Sequence, residues 1–249
     1  MIKNFFKTDS ILKLRNLFGL RPTIFNVNYL EKGMSYSDGF FWRLDDNFKT
    51  ILRFTNIINL YFSKNSSIEI YFYDDKNNFL NSVKLNSDKI NREINVTADI
   101  VKKKKFGVFY IFHKSNYKIE SIIRNSCYVG FSYKKSLYSF VHGNTISAKN
   151  SISPNSKQIQ SGMMSTSFIR KNYFVQNSFC DSQIEIMLQN SSNKTQKITV
   201  NNYKTKLLQG HAEIININND EIVKISSNCY FLRPIVFEYK NNYLNVYHA

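Results

Sequence analysis

The chain has 249 residues, a formal net charge of +16 at pH 7 and 43% hydrophobic residues, with 21 Phe and 16 Tyr but only one Trp. Such a length buries roughly 70–75% of the unfolded surface, which suits one large domain or two small ones. The composition excludes a collagen, a disulfide scaffold, a coiled coil and a mostly disordered chain.

Residues 1–20 place Lys3, Lys7, Lys13 and Arg15 among Phe5, Phe6, Ile11, Leu14, Leu17 and Phe18. That pattern reads as a helix capping the domain, with peripheral membrane contact or targeting as the alternatives. No stretch approaches the ~20 apolar residues of a membrane span, and no secretory pattern is seen, so the expectation is a cytoplasmic protein. The segment Ser37–Asn47 follows, a polar loop holding Trp42 beside Arg43, with Asp38, Asp45 and Asp46 around it. Carboxylates, amides and an aromatic face are what a site needs to hold sugar hydroxyls. Asp38, Trp42, Arg43 and Asp45 are therefore candidate binding residues, against a plain core role for the Trp. Asp46 or Asn47 then caps a helix over Phe48–Tyr61, with a strand through Ile51–Phe54 as the alternative.

From residue 66 onward the period is two, with Asn- and Asp-rich turns every 8–12 residues. This points to an antiparallel sandwich or barrel. The chain also echoes itself in order. Ile68-Glu69-Ile70 matches Ile184-Glu185-Ile186. Asn125-Ser126-Cys127-Tyr128 matches Ser227-Asn228-Cys229-Tyr230. Phe131-Ser132-Tyr133-Lys134 matches Phe237-Glu238-Tyr239-Lys240, and strands ending at His142 and His248 close the two copies. The expected fold is all-β, two related units from an internal duplication, with one or two short N-terminal helices. The expected organisation is an N-terminal segment 1–65, a first unit 66–143, a linker and connecting strand 144–181, and a second unit 182–249.

The Lys102–Lys105 run reads as a solvated loop. Lys outnumbers Arg, and the abundant residues share AT-rich codons, so the basic charge reads as genomic bias more than as a nucleic-acid footprint. Cys127, Cys180 and Cys229 form no metal or redox spacing, and Cys127 and Cys229 are expected to be buried and inert. No nucleotide, zinc-protease, serine-hydrolase or calcium motif is present, so no catalytic residue, metal or cofactor is assigned. His142, Asn144 and His248, at or beside the unit ends, complete the candidate binding set, because loops on a rigid sandwich are common recognition surfaces. The expected function is a non-catalytic binding or structural module for carbohydrate or for a partner protein of a surface assembly. A carbohydrate-active enzyme with a cleft between the units is the first alternative, and a nucleic-acid-binding protein the second.

Overall fold

The structure is a computed structural model that describes residues 30–45, 47–86, 89–125, 127–143, 145–163, 171–176, 181–217, 222–228 and 232–249, with residues 10, 11 and 14. Most of the 1–20 segment, and Asp46, Asn144, Cys180 and Cys229, lie outside the described residues.

The described chain is all-β. It opens with β1 (Met34–Asp38), β2 (Phe40–Arg43) and β3 (Phe48–Thr55), followed by a short helix α1 (Ile57–Phe62). Then come β4 (Ser67–Asp74), β5 (Phe79–Asn86), β6 (Asn91–Asn95), β7 (Phe106–Lys114), β8 (Ile123–Arg124), β9 (Cys127–Tyr133) and β10 (Ser139–His142). Next are β11 (Ile146–Ser151) and β12 (Gln160–Ser161). The remainder is β13 (Lys171–Gln176), β14 (Gln183–Gln189), β15 (Gln196–Val200), β16 (Tyr203–Leu207), β17 (Ala212–Ile217), β18 (Ile222–Ser227), β19 (Ile235–Lys240) and β20 (Tyr243–His248). No helix among the described residues is long and apolar enough to cross a membrane.

The expected helix over Phe48–Tyr61 is corrected by β3, which takes the strand alternative. Its Phe48, Thr50, Leu52 and Phe54 are buried while Lys49 and Arg53 are exposed, and Thr50, Ile51 and Thr55 are β-branched and favour the pleat. The helix is confined to Ile57–Phe62. Its cap is Asn56, whose Oδ1 accepts from Asn59 N at 3.1 Å.

Two sheets, in the orders β2-β7-β4-β5 and β10-β9-β3-β6, share the first core. Two more, β13-β18-β15-β16 and β17-β14-β19-β20, enclose a second core of Val, Ile and Leu with Tyr173. Omitting β8, each set numbers eight strands. In each, the first, sixth, third and fourth strands form one sheet, and the eighth, seventh, second and fifth form the other. The first set starts at β2, before residue 66, and the second at β13, before residue 182. Ile68–Ile70 therefore lies on a third strand (β4) and Ile184–Ile186 on a second (β14). Phe131 and Tyr133, like Phe237 and Tyr239, lie on seventh strands, and His142 and His248 end eighth strands.

A fifth sheet, β12-β11-β1-β8, covers β7, and its β11 and β12 come from the stretch expected as linker and connecting strand. Its β1 continues β2 but bends away from β7. There Ser35 and Ser37 hydroxyls accept from His113 N at 3.0 Å and Ile111 N at 2.9 Å, replacing the main-chain partners that β7 loses. The β1–β8 pair is parallel; the other strand pairs described are antiparallel.

The sheet β17-β14-β19-β20 is a wall between the two cores. Alternation sends Ile184, Ile186, Leu188 and Val236 into the second core, and Met187, Ile235, Phe237 and Tyr239 into the first. The edge strands β10 and β20 lie side by side. The Ser139 hydroxyl bridges them, accepting from Val246 N at 2.9 Å. Each thus shields an edge that would otherwise be open to pairing.

Candidate functional site

The structure carries the Trp42 segment on β2, inside the first sandwich. Trp42 is 0% exposed, and its Nε1 donates to Tyr73 O at 3.1 Å. Its ring lies over Gly107, where a Cβ would stand 2.9 Å from Cζ2 of the indole and 2.1 Å from Tyr73 O, so the close approach requires glycine. This corrects the expectation of a surface aromatic platform: the indole has no face toward solvent. Arg43 is equally buried. It donates to Asp45 from Nε (2.6 Å) and Nη2 (2.9 Å), and through Nη1 to Glu185 of the second sandwich. Its guanidinium lies 3.7 Å from the Phe48 ring centroid and 5.1 Å from that of Phe237. Arg43 and Asp45 therefore fasten the two sandwiches together and are not offered to a ligand. Asp38, on β1, accepts two hydrogen bonds of 3.0 Å from Arg124.

His142 and His248 do come together, with ring centroids 4.7 Å apart. Phe131 and Phe237 (4.9 Å) and Tyr133 and Tyr239 (4.7 Å) meet likewise. Residues at like positions of the two strand sets thus face one another, as across a two-fold axis. The surroundings of the histidines are basic. Arg233 Nη2 lies 3.3 Å from His142 Nε2, and His248 Nε2 donates to His142 O at 3.2 Å. Burial, with Arg233 and His142 beside it, pushes the His248 pKa down to about 4. Among the described residues no group of three His, Cys, Asp or Glu is placed to hold a metal ion.

An open groove of about 1420 Å³ lies elsewhere, on the outer face of β13-β18-β15-β16. Strand alternation builds it. Ile198, Val200, Val223 and Ile225 point into the second core, so Lys197, Thr199, Lys224 and Ser226 point out. The register sets Lys197 opposite Lys206, and Thr199 opposite both Lys204 and Ser226. Asn201 closes one end, its Oδ1 accepting from Lys224 N at 2.8 Å, and Asn228 the other, accepting from Lys197 N at 2.9 Å. Four lysines line the groove with hydroxyls and amides between them, and among the described residues no carboxylate or aromatic side chain is part of its lining. Glu213, on β17 of the facing sheet, accepts from Tyr203 and Thr205 of β16 at 2.7 Å each.

No family model, curated protein or solved structure matches this chain. Function is therefore read from the chemistry of these surfaces.

The groove can hold hydroxyl groups and negative charge together, because Lys supplies point charges and Thr, Ser and Asn supply donors and acceptors. Proton transfer of the glycosidase kind needs two accessible carboxyl groups flanking a bond. Among the described residues, Arg43 gathers Asp45 and Glu185 between the sandwiches and neutralises both in the interior. Cys127 is 2% exposed, and burial pushes its thiol pKa up, which leaves it unreactive. The Lys102–Lys105 run is exposed, as a solvated turn should be. The sequence reading missed the groove. Its signal was present in the alternation Lys197-Ile198-Thr199-Val200 and Lys204-Thr205-Lys206, but what unites these runs is the fold of one sheet.

Proposed function

We propose that the chain is a non-catalytic carbohydrate-binding protein of two sandwiches, built by duplication of one eight-strand unit, and that its ligand is an acidic polysaccharide. The observation that carries this reading is the groove on β13-β18-β15-β16, where Lys197, Lys204, Lys206 and Lys224 alternate with Thr199, Ser226 and Asn201, with no acid among the described residues of its lining. Sugar hydroxyls match the hydroxyl and amide side chains, and sulfate or carboxylate groups match the lysines. A single-stranded nucleic acid would call for arginine and for a row of aromatic stacking platforms; the described lining holds no arginine, and Phe174, opposite Lys224 on the adjoining strand, is a lone exposed aromatic beside it among the described residues. The common strand order of the two sets, with Phe131, Tyr133 and His142 meeting Phe237, Tyr239 and His248, supports the duplication.

The test is calorimetric titration of the full chain with a sulfated glucan, a neutral glucan and single-stranded DNA at about 0.15 M salt. Binding to the sulfated chain alone is expected. Replacing three exposed lysines together (K204Q/K206Q/K224Q) should weaken it by at least about tenfold, equivalent to about 1.4 kcal/mol, with the melting temperature unchanged. Preference for DNA, or the neutral glucan binding as well as the sulfated one, would overturn the reading.

A further inference from the structure

The outer face of β10-β9-β3-β6, on the first sandwich, sets an aromatic ring beside a charge pair. The register places Glu93 of β6 and Tyr128 of β9 on either side of Arg53 of β3. All three point away from the first core, because alternation sends their neighbours Leu52, Phe54, Cys127 and Val129 into it. Arg53 Nε donates to Glu93 Oε2 at 2.7 Å, and its guanidinium lies 4.8 Å from the Phe140 ring centroid. Phe140 is fixed in turn, since its ring lies so close over Gly130 that a Cβ there would stand 2.6 Å from Cε1. Thr55 Oγ1 donates to Asn91 Oδ1 at 3.2 Å and leaves the Asn91 amide nitrogen to donate elsewhere. Arg53, Thr55, Asn91, Glu93 and Tyr128 border an open pocket of about 390 Å³. Arg92, the other cation of its lining, is engaged with Asn86 O. The Tyr128 hydroxyl, the two Nη groups of Arg53 and the second oxygen of Glu93 have no hydrogen-bond partner among the described residues. Tyr128 is 58% exposed, so its ring is open to a ligand.

We propose that this pocket binds the end unit of a neutral glycan, a pyranose of galacto configuration, stacked on Tyr128 with its hydroxyls on Arg53, Glu93 and Asn91. A hydroxyl both donates and accepts, so two neighbouring hydroxyls satisfy a guanidinium and a carboxylate together. The aromatic face takes the C–H side of the sugar. Inverting C4 from the gluco arrangement raises O4 on one face and gathers the C–H groups of C3, C4 and C5 on the other. Such a ring divides into a polar and an apolar side, as the site does. A gluco unit spreads its hydroxyls around its rim and offers Tyr128 a smaller apolar face. Glu93 opposes an acidic ligand, and the pocket's volume suits a chain end rather than an extended polymer. The site uses none of the side chains that line the lysine groove, and it stands or falls independently of the polysaccharide reading.

The test is saturation-transfer NMR titration of the full chain with methyl β-galactoside and, separately, methyl β-glucoside. Saturable binding of the galactoside is expected, with the strongest transfer to its H3, H4 and H5, and the glucoside should bind at least about tenfold more weakly. Tyr128→Ala should abolish the signal, while Tyr128→Phe, which keeps the ring, should retain most of it. Glu93→Ala should weaken binding by at least about tenfold, the scale of a lost charge-assisted hydrogen bond. All three side chains are exposed, and an unchanged melting temperature confirms that each variant is folded. K204Q/K206Q/K224Q should bind the galactoside like the parent while losing the sulfated glucan, which separates this pocket from the groove. Absence of saturable binding, equal affinity for the two glycosides, or a folded Tyr128→Ala protein that binds like the parent would overturn the proposal.

Discussion

Trp42 shows how a polar neighbourhood in sequence becomes an interior in space. Its described flanking acids are not a rim of free carboxylates, because Asp38 is held by Arg124 and Asp45 by Arg43. The first of those partners lies 86 positions away along the chain, and the Glu185 that completes the Arg43 cluster lies 142 away. One sequence carries no sign of such pairings, so the residue types were legible and their partners were not. The consequence is measurable because the protein has a single Trp. Native fluorescence should be blue-shifted, resistant to iodide quenching and indifferent to glycans. Trp42→Ala should cost about 3–5 kcal/mol in urea denaturation, the scale of emptying a buried aromatic site. Trp42→Phe should cost about 1–3 kcal/mol, since it keeps most of the ring but leaves the Tyr73 carbonyl without its donor. Ready quenching with little stability loss would return Trp42 to the surface.

At the scale of elements, alternation was the reliable signal, and it failed where apolar residues fit two periods at once. Phe48, Ile51, Leu52, Ile58 and Tyr61 lie on a helical stripe as readily as on a strand that turns into a helix. What separates the two is Asn56, whose side chain caps α1 and so starts the helix there. The same helix start explains a pH dependence. Ile57 N, at the first turn, donates to Nε2 of His113 at 2.9 Å, and His113, on the fully enclosed β7, is 0% exposed. Burial pushes the His113 pKa down from its ordinary value to about 4. The unfolded chain therefore binds a proton that the folded chain refuses between about pH 6.5 and pH 4. The stability tied to this neutral imidazole is whole above pH 6.5 and is lost as pH falls toward 4. Between pH 7 and 4.5 the loss should be about 2–3 kcal/mol. His248 adds to it in the same direction, by less because it is partly exposed. Urea denaturation across this range should show the slope, and His113→Gln should lower stability at pH 7 while removing most of its own share of the pH dependence. An unchanged slope in that variant would show that the ring is not held neutral by its burial on β7.

On the scale of the whole molecule, the landmarks that echo in the sequence divide by what fixes them. The Phe-x-Tyr and terminal His landmarks lie on like strands of the two sets and touch across the seam, so their side chains answer to a specific neighbour. Ile-Glu-Ile is a generic strand phrase and falls on unlike strands. The seam itself was not legible, because its centre is a buried ion cluster drawn from β2 and β14. Arg43 and Glu185 sit at 1% and 9% side-chain exposure, whereas Arg53 and Glu93 form a pair at 55% and 49%. These two Arg–Glu pairs make an internal comparison. Glu93→Ala should cost less than about 1 kcal/mol, because water and salt already screen that pair. Glu185→Ala should cost about 3–5 kcal/mol, because it strips a partner from a guanidinium enclosed by Phe48 and Phe237. Because Glu185 belongs to the second sandwich and Arg43 to the first, the loss should also uncouple them, so that calorimetry resolves two unfolding transitions in place of one. Equal costs for the two substitutions, or a single cooperative transition retained in Glu185→Ala, would mean that the aromatic contacts of Phe131, Phe237, Tyr133 and Tyr239 hold the sandwiches together without help from the buried charges.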